Sequence, residues 1–216
     1  MFTLFGKQGS GSATIEAALE IVGAPYRVEE TASWEKNAAF DELLRVNPMG
    51  QIPTLVLPDG SALSESAAIL AYLADAFPAC GLLPGDASAR AQALRGLVFI
   101  AANCYSAISI IDFPERWCVD GDEPVLQKIR NGARARLHRH WEIFADLFTD
   151  SGLIGSERVG ALDLYAVVVS KWSGTRAHLK EFRPALYSAL QRVEANHVVA
   201  MVFSRHWPAQ NAAASK

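Results

Sequence analysis

A chain of 216 residues, half of them apolar, can bury a substantial core as one large domain or two small ones. Its formal net charge of -3 leaves no basic footprint for nucleic acid, and no apolar run approaches the ~20 residues of a membrane span, so neither partner is indicated. In Met1-Phe2-Thr3-Leu4-Phe5-Gly6-Lys7 the charge follows a very short apolar run, the reverse of a secretory signal, and Cys80, Cys104 and Cys118 are widely spaced without a CxxC or metal-ligand pattern. A cytoplasmic protein with reduced structural thiols and no metal is expected.

Thr3 to Phe5 reads as a short strand, followed by the loop Lys7-Gln8-Gly9-Ser10-Gly11-Ser12. Ile15, Ala18, Leu19 and Val22 then recur at helical spacing until Gly23 and Pro25 stop the helix. Tyr26 to Glu29 is a second strand, so the first thirty or so residues form a βαβ unit with a right-handed crossover. A helix is expected around Asn37 to Arg45. Pro53 precedes an apolar alternating run, and since proline cannot donate to a sheet ladder it belongs at the first residue of a strand. With Gly50 free to turn the backbone, the Ile52-Pro53 bond is a good place for a cis peptide. Asp59-Gly60 signals a hairpin, and Ser64-Glu65-Ser66 opens an apolar helix from Ser66 to Phe77 that Pro78 ends.

Ala79 to Asp86 has the composition of a linker, and beyond it strands disappear. Helical patterns run from about Ser88 to Ile111, Pro124 to Phe148, Leu162 to Trp172 and Pro184 to Val202, with Pro124 and Pro184 suited to first-turn positions. Lys128, Arg130, Arg134, Arg136, His138, Arg139 and His140 make a basic run that helical geometry spreads over several faces, which reads as solvated surface. His138 and His140, two apart, point to different sides of that helix.

The segment Asn47-Pro48-Met49-Gly50-Gln51-Ile52-Pro53, with Glu65-Ser66 after the hairpin, resembles the cis-proline loop and following Glu-Ser of cytosolic glutathione S-transferases. The resemblance covers nearly the whole chain, through Asp163 to the Arg183-Pro184 helix, and its N-terminal loop is similar to that of serine-type bacterial relatives. It implies an α/β plus all-α fold. A thioredoxin-like N-terminal domain (βαβαββα) over residues 1–80 would bind glutathione, and an all-helical C-terminal domain over 87–216 would contribute the electrophile pocket. One departure is Gly160, where the family usually has a capping Ser or Thr three residues before the Asp; glycine is a tolerable N-cap, so the cost should be a few tenths of a kcal/mol.

The resemblance also implies roles. Ile52 would turn its backbone N–H and C=O outward, ahead of Pro53, to pair with the cysteinyl part of glutathione as a short added strand. Ser66 and the amides at its helix start would hold the γ-glutamyl carboxylate, with Glu65 facing the γ-glutamyl ammonium. Gln51 can reach either end of the ligand, and Trp34 and Lys36 are candidates for its glycyl carboxylate.

A free thiol titrates near 8.5, so thiolate must be stabilised by a donated hydrogen bond or a helix N-terminus. Phe5 lacks a hydroxyl, and Gly9 and Gly11 stand where some classes place Ser or Cys. Ser10, Ser12 and the backbone amides of the loop all stay open as the activating group, Ser12 also being the expected helix cap. Candidates for the electrophile pocket are Asn103, Tyr105, Ile108, Phe113, Arg116, Trp117 and Trp172. The implied activity is conjugation of glutathione, as co-substrate, to a small apolar electrophile by a homodimer. Glutathione-dependent isomerisation or peroxidase activity is the enzymatic alternative, and a non-catalytic interaction module is the alternative of another class.

Overall fold

The computed structural model describes residues 1–32, 34, 35 and 37–208, and these fall into two compact units. Met1–Cys80 and the segment from Glu194 make up the first. Its elements are β1 (Phe2–Gly6), α1 (Ser12–Val22), β2 (Tyr26–Glu30), α2 (Ala38–Val46), β3 (Thr54–Val56), β4 (Ala62–Leu63) and α3 (Ser66–Ala76), the thioredoxin-like order βαβαββα. The four strands form one mixed sheet in the order β2-β1-β3-β4. β1 pairs parallel with β2 from Phe2↔Tyr26 to Gly6↔Glu30; β3 pairs antiparallel with β1 (Phe5↔Thr54) and with β4 (Leu55↔Leu63).

Leu4, Leu55, Ile15, Leu19, Ile69, Leu70 and Leu73 are fully buried where α1 packs on β1 and α3. Each such side chain stabilises the unit by about 1.5–3 kcal/mol. α1 is unusual in having Ser12 through Leu19 buried without a break, which a helix shows only when it is covered on all sides. Its remaining face packs against α10 (His197–His206) of the same unit.

The second unit, Gly81–Val193, is helical: α4 (Ala87–Phe99), a π-helical turn (Ile100–Tyr105), α5 (Ser106–Asp112), α6 (Glu123–Phe148), α7 (Ala161–Val169), α8 (Thr175–Phe182) and most of α9 (Pro184–Ala195). Three boundaries differ from the sequence expectation. The helix expected from Leu162 to Trp172 stops at Val169, because Ser173 (φ 57°) and Gly174 (φ 78°) are left-handed and cannot continue a right-handed helix; α8, absent from the expectation, follows them. The helix expected from Pro184 to Val202 is two helices. Asn196 breaks it, its side chain accepting from the Val198 amide at 3.0 Å to cap α10. The helix expected from Ser88 to Ile111 is widened at the π turn, where His140 donates its Nδ1 proton to the Asn103 carbonyl at 3.0 Å.

The helical run Ala87–Asp112 is long and apolar enough, by length and composition, to cross a membrane, contrary to the expectation that no apolar run approaches a span. In the folded unit Ala93, Leu97, Ile100, Cys104, Ala107, Ile108 and Ile111 from this run are buried. All three cysteines are free thiols, and burial pushes that of Cys104 up.

α7 is the most deeply buried helix of this unit, every residue from Ala161 to Val169 being inaccessible. Its start shows why glycine stands at 160: a Cβ there would lie 3.2 Å from the Leu82 carbonyl oxygen, which itself accepts from the Ala161 amide at 2.7 Å. Asp163 supplies the cap from within the helix, accepting from Gly160 at 2.9 Å and Gly155 at 2.7 Å. Asp163→Ala should therefore leave two amides without partners and lower stability by about 2 kcal/mol, read as a fall in the urea midpoint at unchanged slope.

Candidate functional site

The strand register gathers three segments at one end of the sheet. Because Phe5 pairs with Thr54, the loop that leaves β1 after Gly6 lies beside the Ile52-Pro53 bond that enters β3. Because Leu63 pairs with Leu55, the chain leaving β4 toward Glu65 and Ser66 lies on the other side of it. At one strand spacing per pair, these segments sit within about 10 Å of one another across the sheet edge.

The Ile52-Pro53 bond is cis, as the sequence suggested. Asn47, which sequence reasoning did not single out, builds the loop around it. Its buried side chain donates to the Gln51 carbonyl (3.2 Å) and the Thr54 hydroxyl (2.9 Å) and accepts from the Met49 amide (3.2 Å), while Thr54 donates to the same Gln51 carbonyl at 2.8 Å. These bonds use the backbone of Gln51 and leave that of Ile52, which bonds no other described residue. The Gln51 side chain is exposed, Trp34 stands exposed in its turn, and Lys36 lies outside the described residues.

α3 begins at Ser66 with no capping side chain, so its first amides are not satisfied by its own residues. Ser66 is buried, yet its hydroxyl has no hydrogen-bond partner among the described residues. Glu65 just before it has φ 66° and ψ 108°, a left-handed backbone that costs a side-chain-bearing residue about 1–3 kcal/mol. An uncapped helix start and a free hydroxyl beside a strained acid suit a zwitterion, the anion on the amides and the cation on the carboxylate.

In the loop, Ser10 and Ser12 are brought together, their hydroxyls 2.9 Å apart. Gly11, not Ser12, occupies the N-cap position of α1, and Ser12 is the first helical residue. Ser12 is buried and its hydroxyl is 3.3 Å from the Lys7 carbonyl, to which it donates. Half-buried Ser10 accepts from the amides of Ser12 (3.2 Å) and Lys7 (3.4 Å), and with the Ser12 proton on the Lys7 carbonyl its own proton is donated to Ser12 Oγ. Lys7 anchors the loop through Glu35 (2.7 Å) and Glu30 (3.1 Å), and those bonds hold its ammonium above the ordinary lysine range.

Behind the loop lies a network that the sequence signalled only by placing an acid, Glu16, in an otherwise apolar helix face. Glu16 accepts from His206 Nε2 at 2.8 Å and from Arg205 at 2.6 Å, and Arg205 also pairs with Glu20 at 2.9 Å. Tyr26 donates to Glu20 at 2.8 Å. Burial pushes the Glu16 carboxyl up, but the hydrogen bonds from His206 and Arg205 outweigh it and hold the group below its usual range.

In the second unit the structure brings Tyr105 to Trp172, ring centroids 5.8 Å apart, with Tyr165 at 6.3 Å on its other side. Asn103, two residues before Tyr105 in the π turn, donates to the Phe99 carbonyl. The other aromatic candidates stand apart from this cluster in role: the Arg116 guanidinium covers Phe113 at 4.0 Å, and Trp117 is exposed. Ile108 is a core residue of α5. His138 and His140 have different partners, the Ser173 and Asn103 carbonyls. Among the described residues no group of three or more His, Cys, Asp or Glu stands in metal-binding range.

A family model for the glutathione S-transferase N-terminal domain matches residues 12–76. The chain is 33% identical to the GST-like protein YncG of Escherichia coli K12 over 60% of its own length and 63% of that protein's, so it spans under two-thirds of this relative. It is 28% identical to the glutathione S-transferase GstA of Escherichia coli O157:H7 over 79% of the chain and 81% of the relative. Among solved structures it is similar to a glutathione transferase homologue from Sulfitobacter with bound glutathione, at a TM-score of 0.77 and 25% identity over 94% of this chain and 96% of that one.

The depressed Glu16 carboxyl makes a signed prediction. Its contribution is present above the ordinary carboxyl value of 4.5 and is lost as pH falls through the lower folded value. Glu16→Gln should thus be less stable than wild type by about 1–3 kcal/mol at pH 7. The gap in urea midpoint should close on acidification below that carboxyl range; a gap independent of pH would show that the charge of Glu16 contributes nothing.

Proposed function

Given that the chain belongs to the cytosolic glutathione S-transferase family, we propose that it is a glutathione transferase, adding the glutathione thiolate to a small apolar electrophile in the cytoplasm as a homodimer. The observation that carries the reading is the gathering of the Ile52-Pro53 bond, the uncapped start of α3 and the Ser10 loop at one sheet end. Free backbone groups of Ile52 pair with the cysteinyl part of the tripeptide. Ser66 and the α3 amides take the γ-glutamyl carboxylate, Glu65 takes the γ-glutamyl ammonium, and Gln51 and Lys36 serve the rest of the ligand. Tyr105 and Trp172 supply apolar surface for the electrophile.

Ser10 is the better placed of the two hydroxyls for thiol activation. Two amides already point at its oxygen, which strengthens its O–H as a donor, and that proton, given to Ser12 Oγ in the free protein, turns to the thiolate, while Ser12 spends its own on the Lys7 carbonyl. The thiolate forms by losing its proton to solvent, is held by the Ser10 hydrogen bond, and attacks an electrophile held close by. No covalent enzyme intermediate is needed.

Calorimetric titration with glutathione, combined with ultraviolet detection of bound thiolate across pH, tests this reading. Wild type should bind with the thiol pKa lowered below about 8.5. Ser66→Ala should weaken binding about tenfold, the loss of one charge-assisted hydrogen bond. Ser10→Ala should raise the bound thiol pKa by about one unit while affinity stays within a few fold, and Ser12→Ala should change it less. Equal pKa values in both alanine variants and wild type would assign activation to the backbone amides, and no binding by wild type would favour the interaction module.

A further inference from the structure

We propose that His206 is a positioning residue for thiol activation, its ring holding the Lys7–Ser10 turn in the one peptide orientation that presents the Ser10 hydroxyl. This rests on the glutathione reading above. The turn is closed by the Ser10 amide on the Lys7 carbonyl at 3.1 Å, and Gly9 at its third position has φ 75°, the left-handed value of a type II turn. The alternative type I turn differs by a rotation of the central peptide, here the bond between Gln8 and Gly9. That peptide is fixed from outside: the Gly9 N–H donates to His206 Nδ1 at 3.2 Å.

The tautomer follows from the partners. Nδ1 accepts from an amide and so carries no proton, which places the ring proton on Nε2, where it is donated to Glu16 Oε2 at 2.8 Å. Glu16 is in turn oriented by Arg205 on its other oxygen. The Gln8 side chain donates to the Arg205 carbonyl at 2.7 Å, so both central residues of the turn are gripped by the end of α10. Trp207 packs against the His206 ring at 5.6 Å, and the ring itself is buried, leaving it one position. Rotating the Gln8-Gly9 peptide would aim a carbonyl at Nδ1. It would also leave the turn unbraced, with the Ser10 hydroxyl held only by its bonds from the amides of Lys7 and Ser12. His206 bonds Gly9 and Glu16 and acts on Ser10 through Gly9.

Two substitutions separate the two faces of the ring. In His206→Asn the side-chain oxygen lies where Nδ1 lies and still accepts from Gly9, while the contact with Glu16 is lost. In His206→Gln the amide nitrogen reaches Glu16 but Gly9 loses its acceptor. The bound thiol pKa, read by thiolate absorbance in the full chain, should stay within about 0.3 of wild type in His206→Asn and rise by about one unit in His206→Gln. Glutathione affinity should change less than threefold or so in either. Amide exchange at Gly9 should be fast in His206→Gln alone.

Thiol pKa values that match in the two variants, whether both equal wild type or both move with thermal stability, overturn the proposal and reduce His206 to a structural role. A wild-type protein that binds glutathione without lowering its thiol pKa, or does not bind it, overturns the function reading itself and the proposal with it.

Discussion

The antiparallel pairing of β3 between β1 and β4 is the constraint on which the site depends. A slip of one residue in either ladder would turn every side chain of β3 to the opposite face and carry Thr54 away from Phe5. Leu4 and Leu55, both fully buried, forbid that slip, since it would exchange apolar core for water on a unit with little area to spare. The apolar core thus sets the register, and the register sets which loops share a sheet end. The placement of the Ser10 loop beside Pro53 and Glu65 follows from burial of leucines that have no chemistry of their own.

Around that frame the polar side chains work by relieving backbone groups. Asn47 and Thr54 absorb the carbonyl of Gln51 and the amide of Met49, so the turn before Pro53 is satisfied internally and the backbone of Ile52 is left over. At the helix start the logic is reversed: no side chain among the described residues caps α3, and the strain at Glu65 is kept. The Ser66 hydroxyl, without a partner among the described residues, and the uncapped helix start leave hydrogen-bonding groups for a proposed ligand. Glu16 shows the other resolution. A carboxylate in the middle of a covered helix is tolerated because His206 and Arg205 bring matched donors to both its oxygens.

The helical unit uses the same economy. α7 is buried from end to end and so cannot be capped by solvent; Asp163 serves two amides from inside it. The π turn at Ile100–Tyr105 displaces a carbonyl from the helical ladder, and His140 on α6 takes it up. That turn sets where Tyr105 meets Trp172 and Tyr165, two helices away in sequence.

Local patterns in the chain were sufficient for the βαβαββα order, the cis bond before Pro53 and the Glu65-Ser66 helix start, since each is encoded by neighbours within a few residues: proline before an alternating run, Asp-Gly between strands, serine before apolar helical spacing. The boundaries at Ser173, Gly174 and Asn196 were harder, because left-handed residues and an asparagine cap interrupt an apolar pattern that otherwise continues. The roles of Asn47 and His206 had no local signature at all, and Glu16 had only that of an acid on an apolar helix face. A Cβ at Gly160 would crowd the Leu82 carbonyl at 3.2 Å, and His206 matters because its ring meets an amide 197 positions earlier in the chain. Periodicity and turn chemistry are local properties, so the sequence alone determined the elements and their order. Partners for buried polar groups are chosen by packing between distant segments, so only the tertiary structure decided which acid, which histidine and which amide would share a bond.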